Sequence, residues 1–389
     1  MIVCSIVKLV VQVKLLPTLE QAAALEVTLR ECNQAADLVA RTAFTTGITR
    51  EYDLRKQTYA TLKERGLGAQ AAQHVIKKVA DAYTTLKANL RAGNLGPPTS
   101  PRRIRAENKP IAFRPHAAQP YDDRCLSWQL QAGTVSIWTT AGRLRGVAFI
   151  CSDQQRAMLS AHRRGESDLV LRDGRWFLIA TCDLPDVPLA EPDGFLGVDL
   201  GIANIATTSE GTRHTGRALN AVRHRNRELR RRLQAKKTKS AKRLLKRRRR
   251  KEARFAADTN HVIAKRIVTE AERTGRGIAL EDLHGIRERV RLRKPQRVTL
   301  HSWSFHQLGS FITYKAARAG VPVVYVDAAY TSQGCSACGH ISKKNRPDQA
   351  AFRCMSCGFA EHADVNAARN IAARGEAGWA VSHAADDAA

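Results

Sequence analysis

The chain has 389 residues, enough for two or three domains, and its 64 Lys and Arg against 36 Asp and Glu give a formal net charge of +28. A positive surplus of this size favours a polyanion as the binding partner. Nucleic acid is favoured over an anionic membrane surface. No apolar run reaches the roughly 18 residues that a membrane-spanning helix needs, so such a helix is excluded from the prediction.

The amino-terminal part combines a strand with a helical segment. Residues 1–16 are apolar but carry two lysines and no small-residue cleavage site, which favours a β-strand over a signal peptide. Thr18 followed by Gln21 has the spacing of a capping box and predicts the start of a helix. Helical periodicity continues to the Pro-rich stretch 94–101, so residues 17–104 are predicted to form a helical module.

Residues 105–190 show the two-residue hydrophobic period of β-strands. Two tight turns, Ala141-Gly142 and Asp173-Gly174, each lie between alternating apolar segments and predict β-hairpins. We expect a β-barrel-like module here, with the amino-terminal strand pairing back into the same sheet across the helical insertion.

The segment 191–330 alternates apolar strands with helical stretches, as an α/β domain does. Between Arg213 and Arg254 it contains 20 Lys or Arg residues and two Glu. A solvated charged helix or a disordered arm would also carry such a run. Leucines at helical spacing and the mutual repulsion of so many like charges favour basic helices that lie on a nucleic-acid backbone.

Three acidic residues lie at positions where burial would require their negative charge to be hydrogen-bonded or bound to a cation. Asp199 and Glu281 each come near the end of an apolar strand, and Asp364 lies in the first turn of the last predicted helix. Such groups together can bind two Mg²⁺ or Mn²⁺ ions for phosphodiester hydrolysis, although each motif alone is more often structural. Asp282 should point to the opposite face of its strand, and Asp327 is an outside candidate as a ligand.

The nine cysteines divide into one compact set and five scattered residues. Cys335 and Cys338, followed after 15 intervening residues by Cys354 and Cys357, have the spacing of a structural Cys4 zinc site. Four reduced thiols or two disulfides are the alternative interpretation. The other five cysteines lie in apolar surroundings, as expected of buried thiols in a reducing cytoplasm.

Several motifs closely resemble the TnpB family of insertion-sequence OrfB proteins, the RNA-guided nucleases related to type V CRISPR effectors. They are GVDLGIAN around Asp199, ALEDL around Glu281, and the ordered series YTSQGCSACG, FRCMSCG and HADVNAARNIA. The segments LLPTLEQ near the amino end and SWSFHQLGSFITYKA extend the similarity. The helical and β modules correspond mainly by position.

The resemblance implies a multidomain α/β protein with a RuvC-like nuclease domain of RNase H-type fold. Asp199, Glu281 and Asp364 would be its catalytic, magnesium-binding residues. The implied domains are a wedge-like β module (1–16 and 105–190), a helical recognition module (17–104), the nuclease domain (191–330 and 360–375, with the basic stretch 213–254), an inserted zinc ribbon (331–359) and a disordered tail (376–389).

The resemblance also implies an activity and its partners. The expected activity is cleavage of double-stranded DNA beside a short flanking motif, guided by an RNA from the transposon end. Zn²⁺ would be structural, Mg²⁺ or Mn²⁺ would be catalytic, and the location would be the cytoplasm of a bacterium or archaeon. The alternatives are a guided repressor or transposition accessory protein that does not cleave, and a miniature type V CRISPR effector.

Overall fold

The computed structural model describes residues 7–185, 187–283 and 305–386. The chain divides into two compact units, Lys8–Leu184 and, in the main, Pro185–Ala389. Among the described helices, none has both the length and the apolar character needed to cross a lipid bilayer.

The first unit is built around one sheet. Its strands are β1 (Val7–Leu16), β2 (Gln119–Tyr121), β3 (Leu126–Gln129), β4 (Thr134–Thr139), β5 (Gly142–Ile150), β6 (Arg163–Arg172) and β7 (Arg175–Leu184). Their spatial order is β2-β6-β7-β1-β5-β4-β3, so the predicted return of the amino-terminal strand is confirmed. Both hairpins form as predicted, and Asp173 and Gly174 take the positive φ angles of 52° and 73° that a tight hairpin turn requires.

One core lies against this sheet. Side chains from all seven strands meet in it, which is the arrangement expected of a barrel-like sheet that curves around its own interior. Leu25 and Leu29, from the first helix after β1, complete the same core. The helical and β modules expected from the sequence therefore share buried contacts within one unit.

The helices of the first unit are α1 (Leu19–Thr46), α2 (Glu51–Glu64), α3 (Ala69–Arg91), α4 (Pro101–Glu107) and α5 (Asp153–His162). The Thr18–Gln21 capping box that begins α1 is confirmed. The carboxyl-terminal part of α1 packs against α2 and α3 in a second core. Helix α5 lies inside the segment predicted to be rich in β-strands, and the capping box formed by Ser152 and Gln155 begins it.

The second unit contains a five-stranded mixed sheet. Its strands are β8 (Phe195–Asp199), β9 (Asn204–Thr208), β10 (Arg213–Thr215), β11 (Gly277–Asp282) and β12 (Val323–Asp327), in the order β10-β9-β8-β11-β12. Strand β11 is parallel to β8 and to β12, whereas β9 is antiparallel to β8 and to β10. The carboxyl ends of β8, β11 and β12 therefore lie along one edge.

Helices cover both faces of this sheet. They are α6 (Arg217–Lys236), α7 (Lys239–Arg273), α8 (Phe305–Ala319) and α9 (Ala363–Asp386). Helices α7 and α8 pack on the face that presents Leu196 and Val198 of β8. Helix α9 packs on the opposite face, which presents Phe195, and does so very closely, because a Cβ atom at Gly197 would lie 1.9 Å from the carbonyl oxygen of Ala368.

A small two-stranded ribbon is inserted between β12 and α9. It contains the short helical turn Lys343–Asn345 and the antiparallel strands β13 (Ala351–Arg353) and β14 (Ala360–His362). Its buried side chains are few and include Phe352 and two of the cysteines. Two strands of three residues bury too little apolar surface to be stable alone.

The expectation of a disordered tail over 376–389 is wrong for the residues that the structure describes. Helix α9 continues to Asp386. The ring of Trp379 lies 5.7 Å from that of Phe195, and Trp379 Nε1 donates to Glu191 3.2 Å away. This single aromatic contact, rather than a repeating pattern, fixes the end of the helix on the sheet, which is why composition alone did not predict it.

Candidate active site and metal centre

The four cysteines of the predicted zinc site come together in the ribbon. Their Sγ atoms all lie within 4.8 Å of one another. Two of these pairs are Cys335 with Cys357 at 3.7 Å and Cys338 with Cys354 at 3.6 Å. A disulfide would place its sulfurs about 2.05 Å apart, so these pairs are not disulfides.

The donor set fits a tetrahedral metal ion such as zinc. With Zn–S bonds of about 2.3 Å, tetrahedral sulfurs are about 3.8 Å apart, close to both pair distances. Gly339 and Gly358, each directly after the second cysteine of a pair, have φ of +76°, which a residue with a side chain rarely adopts. The backbone N–H of Cys357 approaches Cys354 Sγ and is the main cause that lowers the pKa of the Cys354 thiol.

Asp199 and Glu281 lie side by side at the ends of neighbouring parallel strands. Leu280 pairs with Val198, so the next residue of each strand is one of the two carboxylates. Side chains alternate along a strand, so Asp199 lies on the same face of β8 as Phe195 and Gly197. That face is the one covered by α9.

Asp364 is the second residue of α9, and it reaches this edge because α9 packs so closely on β8. Its side chain, 14% exposed, has two partners. Asn204 Nδ2 donates to Asp364 Oδ2 at 2.9 Å, and Arg346 Nη2 lies 3.3 Å from Asp364 Oδ1. The predicted third carboxylate therefore stands beside the other two and is held in place from the sheet and from the ribbon.

The charges of the three carboxylates act on one another. The pKa of Asp199 is raised to about 8, mainly by burial and further by the negative charges of Glu281 and Asp364, while Arg346 opposes the rise. Burial also raises the pKa of Glu281, against the effect of a hydrogen bond from Thr331. Oxygen ligands that repel one another in this way suit a hard divalent cation.

The carboxylates are less tightly gathered than the cysteines. Across the described residues, the four cysteines alone bring their ligand atoms within 4.8 Å of one another. The three carboxylates instead keep separate partners, with Arg346 and Asn204 on Asp364 and Thr331 on Glu281. Binding of a common cation would draw them together and weaken some of these bonds.

The two neighbouring acidic residues stand apart from this group. Asp282 is exposed, as expected for the opposite face of the strand. Asp327 is also exposed, and its Oδ1 accepts a hydrogen bond from the backbone N–H of Ala329 at 3.0 Å. Neither is among the charges that shift the pKa of Asp199.

Three polar residues at this site were not predicted from the sequence. Arg346 lies in the ribbon, Thr331 follows β12, and Asn204 begins β9. Thr331 Oγ1 donates to Glu281 Oε1 at 2.5 Å. Asn204 could have been suspected from its place in the GVDLGIAN motif, but no spacing rule identifies an arginine within a loop between metal ligands.

The ribbon is fastened to the helix that carries Asp364. Asn366 and Asn370, one turn apart on α9, both donate to the carbonyl oxygen of Gly334 at 2.8 Å. Asn366 Oδ1 also accepts from the backbone N–H of Ser336, next to the first cysteine. The metal-binding loop and the carboxylate site are thus joined by direct hydrogen bonds.

The basic stretch predicted at 213–254 forms α6 and the first half of α7. Helix α7 is 35 residues long and continues beyond the basic stretch to Arg273. Glu252 lies between the two helices, 3.2 Å from Arg230 Nη2 and 3.1 Å from Asn226 Nδ2. Most of the Lys and Arg side chains in this stretch are exposed.

Two parts of the chain match the models of known protein families. Residues 180–284 match the family model of the OrfB_IS605 probable transposases, and residues 305–371 match that of the Cas12f1-like TNB domain. Asp199 and Glu281 fall in the first match, and Asp364 and the four cysteines fall in the second. These matches confirm the resemblance to the TnpB family and locate it in these residues.

Individual relatives are similar over part of their length. The CRISPR-associated endodeoxyribonuclease Cas12f1 of Sulfoacidibacillus thermotolerans is 45% identical over 121 residues, which are 31% of this chain and 27% of that protein. The putative RNA-guided DNA endonuclease InsQ of Escherichia coli (strain K12) is 29% identical over 222 residues, 52% of this chain and 55% of that protein. The chain thus spans from about a quarter to about half of these relatives.

A solved structure shares the fold. It is the cryo-EM structure of a Cas12f1–sgRNA–target DNA complex, with a TM-score of 0.52 at 14% sequence identity, over 89% of this chain and 82% of that chain. At this identity the similarity concerns the fold alone.

Proposed function

We propose that the protein is an RNA-guided DNA endonuclease with a RuvC-like, RNase H-type site formed by Asp199, Glu281 and Asp364. The observation that carries the proposal is the meeting of these carboxylates at one sheet edge, with the pKa of Asp199 raised to about 8 by burial and by the other two charges. A carboxylate so disfavoured as an anion is a typical functional residue. The family matches cover all three positions.

The three carboxylates would hold Mg²⁺ or Mn²⁺, in our proposal two ions, and such ions when bound activate water and stabilise the leaving oxygen of a phosphodiester. Asp199 gives up its proton on entering this role. Thr331 and Asn204 orient Glu281 and Asp364 through their hydrogen bonds. Arg346 is placed to contact a phosphate oxygen once its interaction with Asp364 is loosened.

The proposed partners are a guide RNA from the transposon end and a target duplex with a short flanking motif. A net charge of +28 and the basic α6–α7 hairpin support a polyanionic partner. The relatives named as RNA-guided endonucleases support the choice of RNA and DNA. Apart from the disordered tail, we retain the domain division predicted from the sequence, with zinc as the ion of the ribbon and the first unit as the reader of the flanking motif.

The decisive experiment is to sequence the RNA that copurifies with the protein and to offer the complex a library of flanking DNA motifs with Mg²⁺. We expect cleavage of targets that match the guide and carry one short motif. Guide-dependent binding without any cleavage would instead support the non-cleaving repressor or accessory protein. A guide encoded by a CRISPR array would support the type V effector.

The hydrogen bond from Thr331 to Glu281 gives a specific prediction. In Thr331→Val the side chain keeps its shape but loses the donor, and we expect the single-turnover cleavage rate to fall about tenfold, the usual worth of a hydrogen bond to a charged group. Zinc content should stay unchanged, since Thr331 does not touch the cysteines.

The matched control is Thr313→Val. Thr313 lies on α8, and its hydroxyl bonds to the carbonyl oxygen of Gly309 on the same helix and to Tyr325 on β12. That variant should cleave at the normal rate. Equal rates for both variants and the unaltered protein would show that Thr331 does not orient Glu281.

A further inference from the structure

The seam between α6 and α7 is incompletely filled by the protein itself. Leu229 and Leu245 line it but are only partly buried. Within α7, all of which the structure describes, no residue between Ala241 and Asn260 is fully buried. A helical hairpin of this length normally closes its apolar seam, so the exposed apolar surface here is available to a ligand.

Part of this surface lines a concavity of about 360 Å³ on one side of the hairpin. Its apolar lining is Val222, Leu229 and the ring of Phe255, which is 38% exposed. Its charged rim comes from three basic residues, Arg225, Arg248 and Lys251. The volume is at the lower end of the range of small-ligand sites, roughly 300 to 1,000 Å³, so it suits a single nucleoside-sized group.

The one acidic residue in the concavity does not oppose an anion. Glu252 is paired with Arg230 at 3.2 Å and accepts a hydrogen bond from Asn226 at 3.1 Å. The negative charge of this carboxylate is therefore balanced inside the hairpin, and the rim remains cationic. Asn226, which lines the same concavity as the ring of Phe255, also offers hydrogen bonds to the edge of a bound base.

We propose that this concavity binds one unpaired nucleotide of a bound RNA or DNA strand, with its base against Phe255 and Leu229 and its phosphate at Arg225, Arg248 and Lys251. The proposal rests on nucleic-acid binding as part of the proposed function and adds a base-binding site to it. An exposed aromatic ring beside several cations is the combination by which proteins hold single strands irrespective of sequence. Cations alone would hold the backbone and leave the ring without a role.

The test compares two single strands that carry the same number of phosphates. Full-length protein, freed of copurified RNA at high salt, is titrated with an oligothymidylate of about 12 nucleotides and with its abasic analogue. We expect the oligothymidylate to bind about tenfold more tightly, and Phe255→Ala to remove this difference while leaving abasic binding unchanged. Lys251→Ala should weaken both strands and reduce the salt dependence.

The matched control is Phe44→Ala on α1, where the phenylalanine is 39% exposed and so equals Phe255 in accessibility. It should leave both affinities unchanged. The place of contact is checked by crosslinking an oligouridylate that carries 4-thiouridine and mapping the adduct. We expect it at Phe255, in the tryptic peptide that runs from Phe255 to Lys265.

Three results would overturn the proposal. One is equal binding of the abasic and base-carrying strands by the unaltered protein, which would leave only backbone contacts. A second is an unchanged base preference in Phe255→Ala, as expected if this surface binds a protein. The third is that Phe44→Ala loses the preference for the base-carrying strand to the same extent as Phe255→Ala. If the unaltered protein bound neither strand, the proposed function would be contradicted as well. That outcome differs from the three above, in which the protein still binds nucleic acid.

Discussion

Asp199→Asn is expected to abolish metal-dependent DNA cleavage, lowering the rate by about 10³-fold or more, because the amide cannot replace a carboxylate that holds a divalent cation. Asparagine has nearly the same shape, so the fold and RNA binding should persist. Single-turnover cleavage of a guide-matched duplex, together with the amount of copurified RNA, measures both. Full cleavage by this variant would refute the site assignment.

The same substitution should stabilise the metal-free protein in a pH-dependent way. The pKa of Asp199 is about 8 in the fold against an ordinary value of 3.8, so the folded state keeps a proton that the unfolded state loses between these pH values. Stability therefore falls as pH rises from about 4 to about 8, and Asp199→Asn escapes this fall. We expect a gain on the order of 5 kcal/mol at pH 8 and less than about 1 kcal/mol at pH 4.

The measurement is denaturant unfolding at pH 5, 6.5 and 8 in buffer without magnesium or manganese, followed by circular dichroism. Asp327→Asn is the control, because Asp327 is exposed at the end of the adjacent strand. Its stability should follow that of the unaltered protein at each pH. If Asp199→Asn also followed the unaltered protein, the pKa of Asp199 would not be raised in the folded state.

Loss of the ribbon's metal ion is the second large expected effect. In Cys354→Ser one of four ligands is removed, and the few buried side chains of the ribbon cannot keep it folded without the ion. We expect loss of bound zinc, rapid tryptic cleavage near Lys343, Lys344 and Arg346, and strongly reduced DNA cleavage. The sheet of the second unit should remain folded, because its core lies elsewhere.

The control for this experiment is Cys151→Ser, which changes a partly buried thiol outside the cluster. It should keep its zinc and its resistance to trypsin. Zinc determination, limited proteolysis and cleavage are compared for the three proteins. A zinc-free Cys354→Ser protein with normal resistance and normal cleavage would remove the metal ion from any structural role.

Short-range patterns predicted much of this molecule. The spacing of the four cysteines predicted a cluster that the structure contains, and the Thr18–Gln21 box and the Asp173-Gly174 turn predicted a helix start and a hairpin. Each of these signals is complete within a few residues or depends on a fixed ligand geometry. The convergence of three carboxylates was inferred from strand ends and from family resemblance together.

Contacts between distant segments could not be predicted in this way. Nothing in the sequence around Gly197 indicates a special role. In the structure, α9 approaches β8 at this residue so closely that no side chain would fit. Arg346 lies in a ribbon loop and meets Asp364 only because the ribbon folds back on α9. Trp379 holds the end of α9 through one ring contact. Such features depend on how elements pack, which periodicity does not encode.

The anchoring of Gly334 sets where the ribbon could be exchanged for another. The carbonyl oxygen of Gly334 accepts hydrogen bonds from both Asn366 and Asn370. Thr331, which donates to Glu281, belongs to the same short segment, residues 331–336, which we call the stem of the ribbon. A graft that began before Thr331 would discard these bonds and disturb the carboxylates. A graft confined to residues 337–359 would preserve the stem and alter only the tip, although it would have to supply its own counterpart of Arg346. The chain therefore offers a defined junction for transplanting ribbons between related proteins.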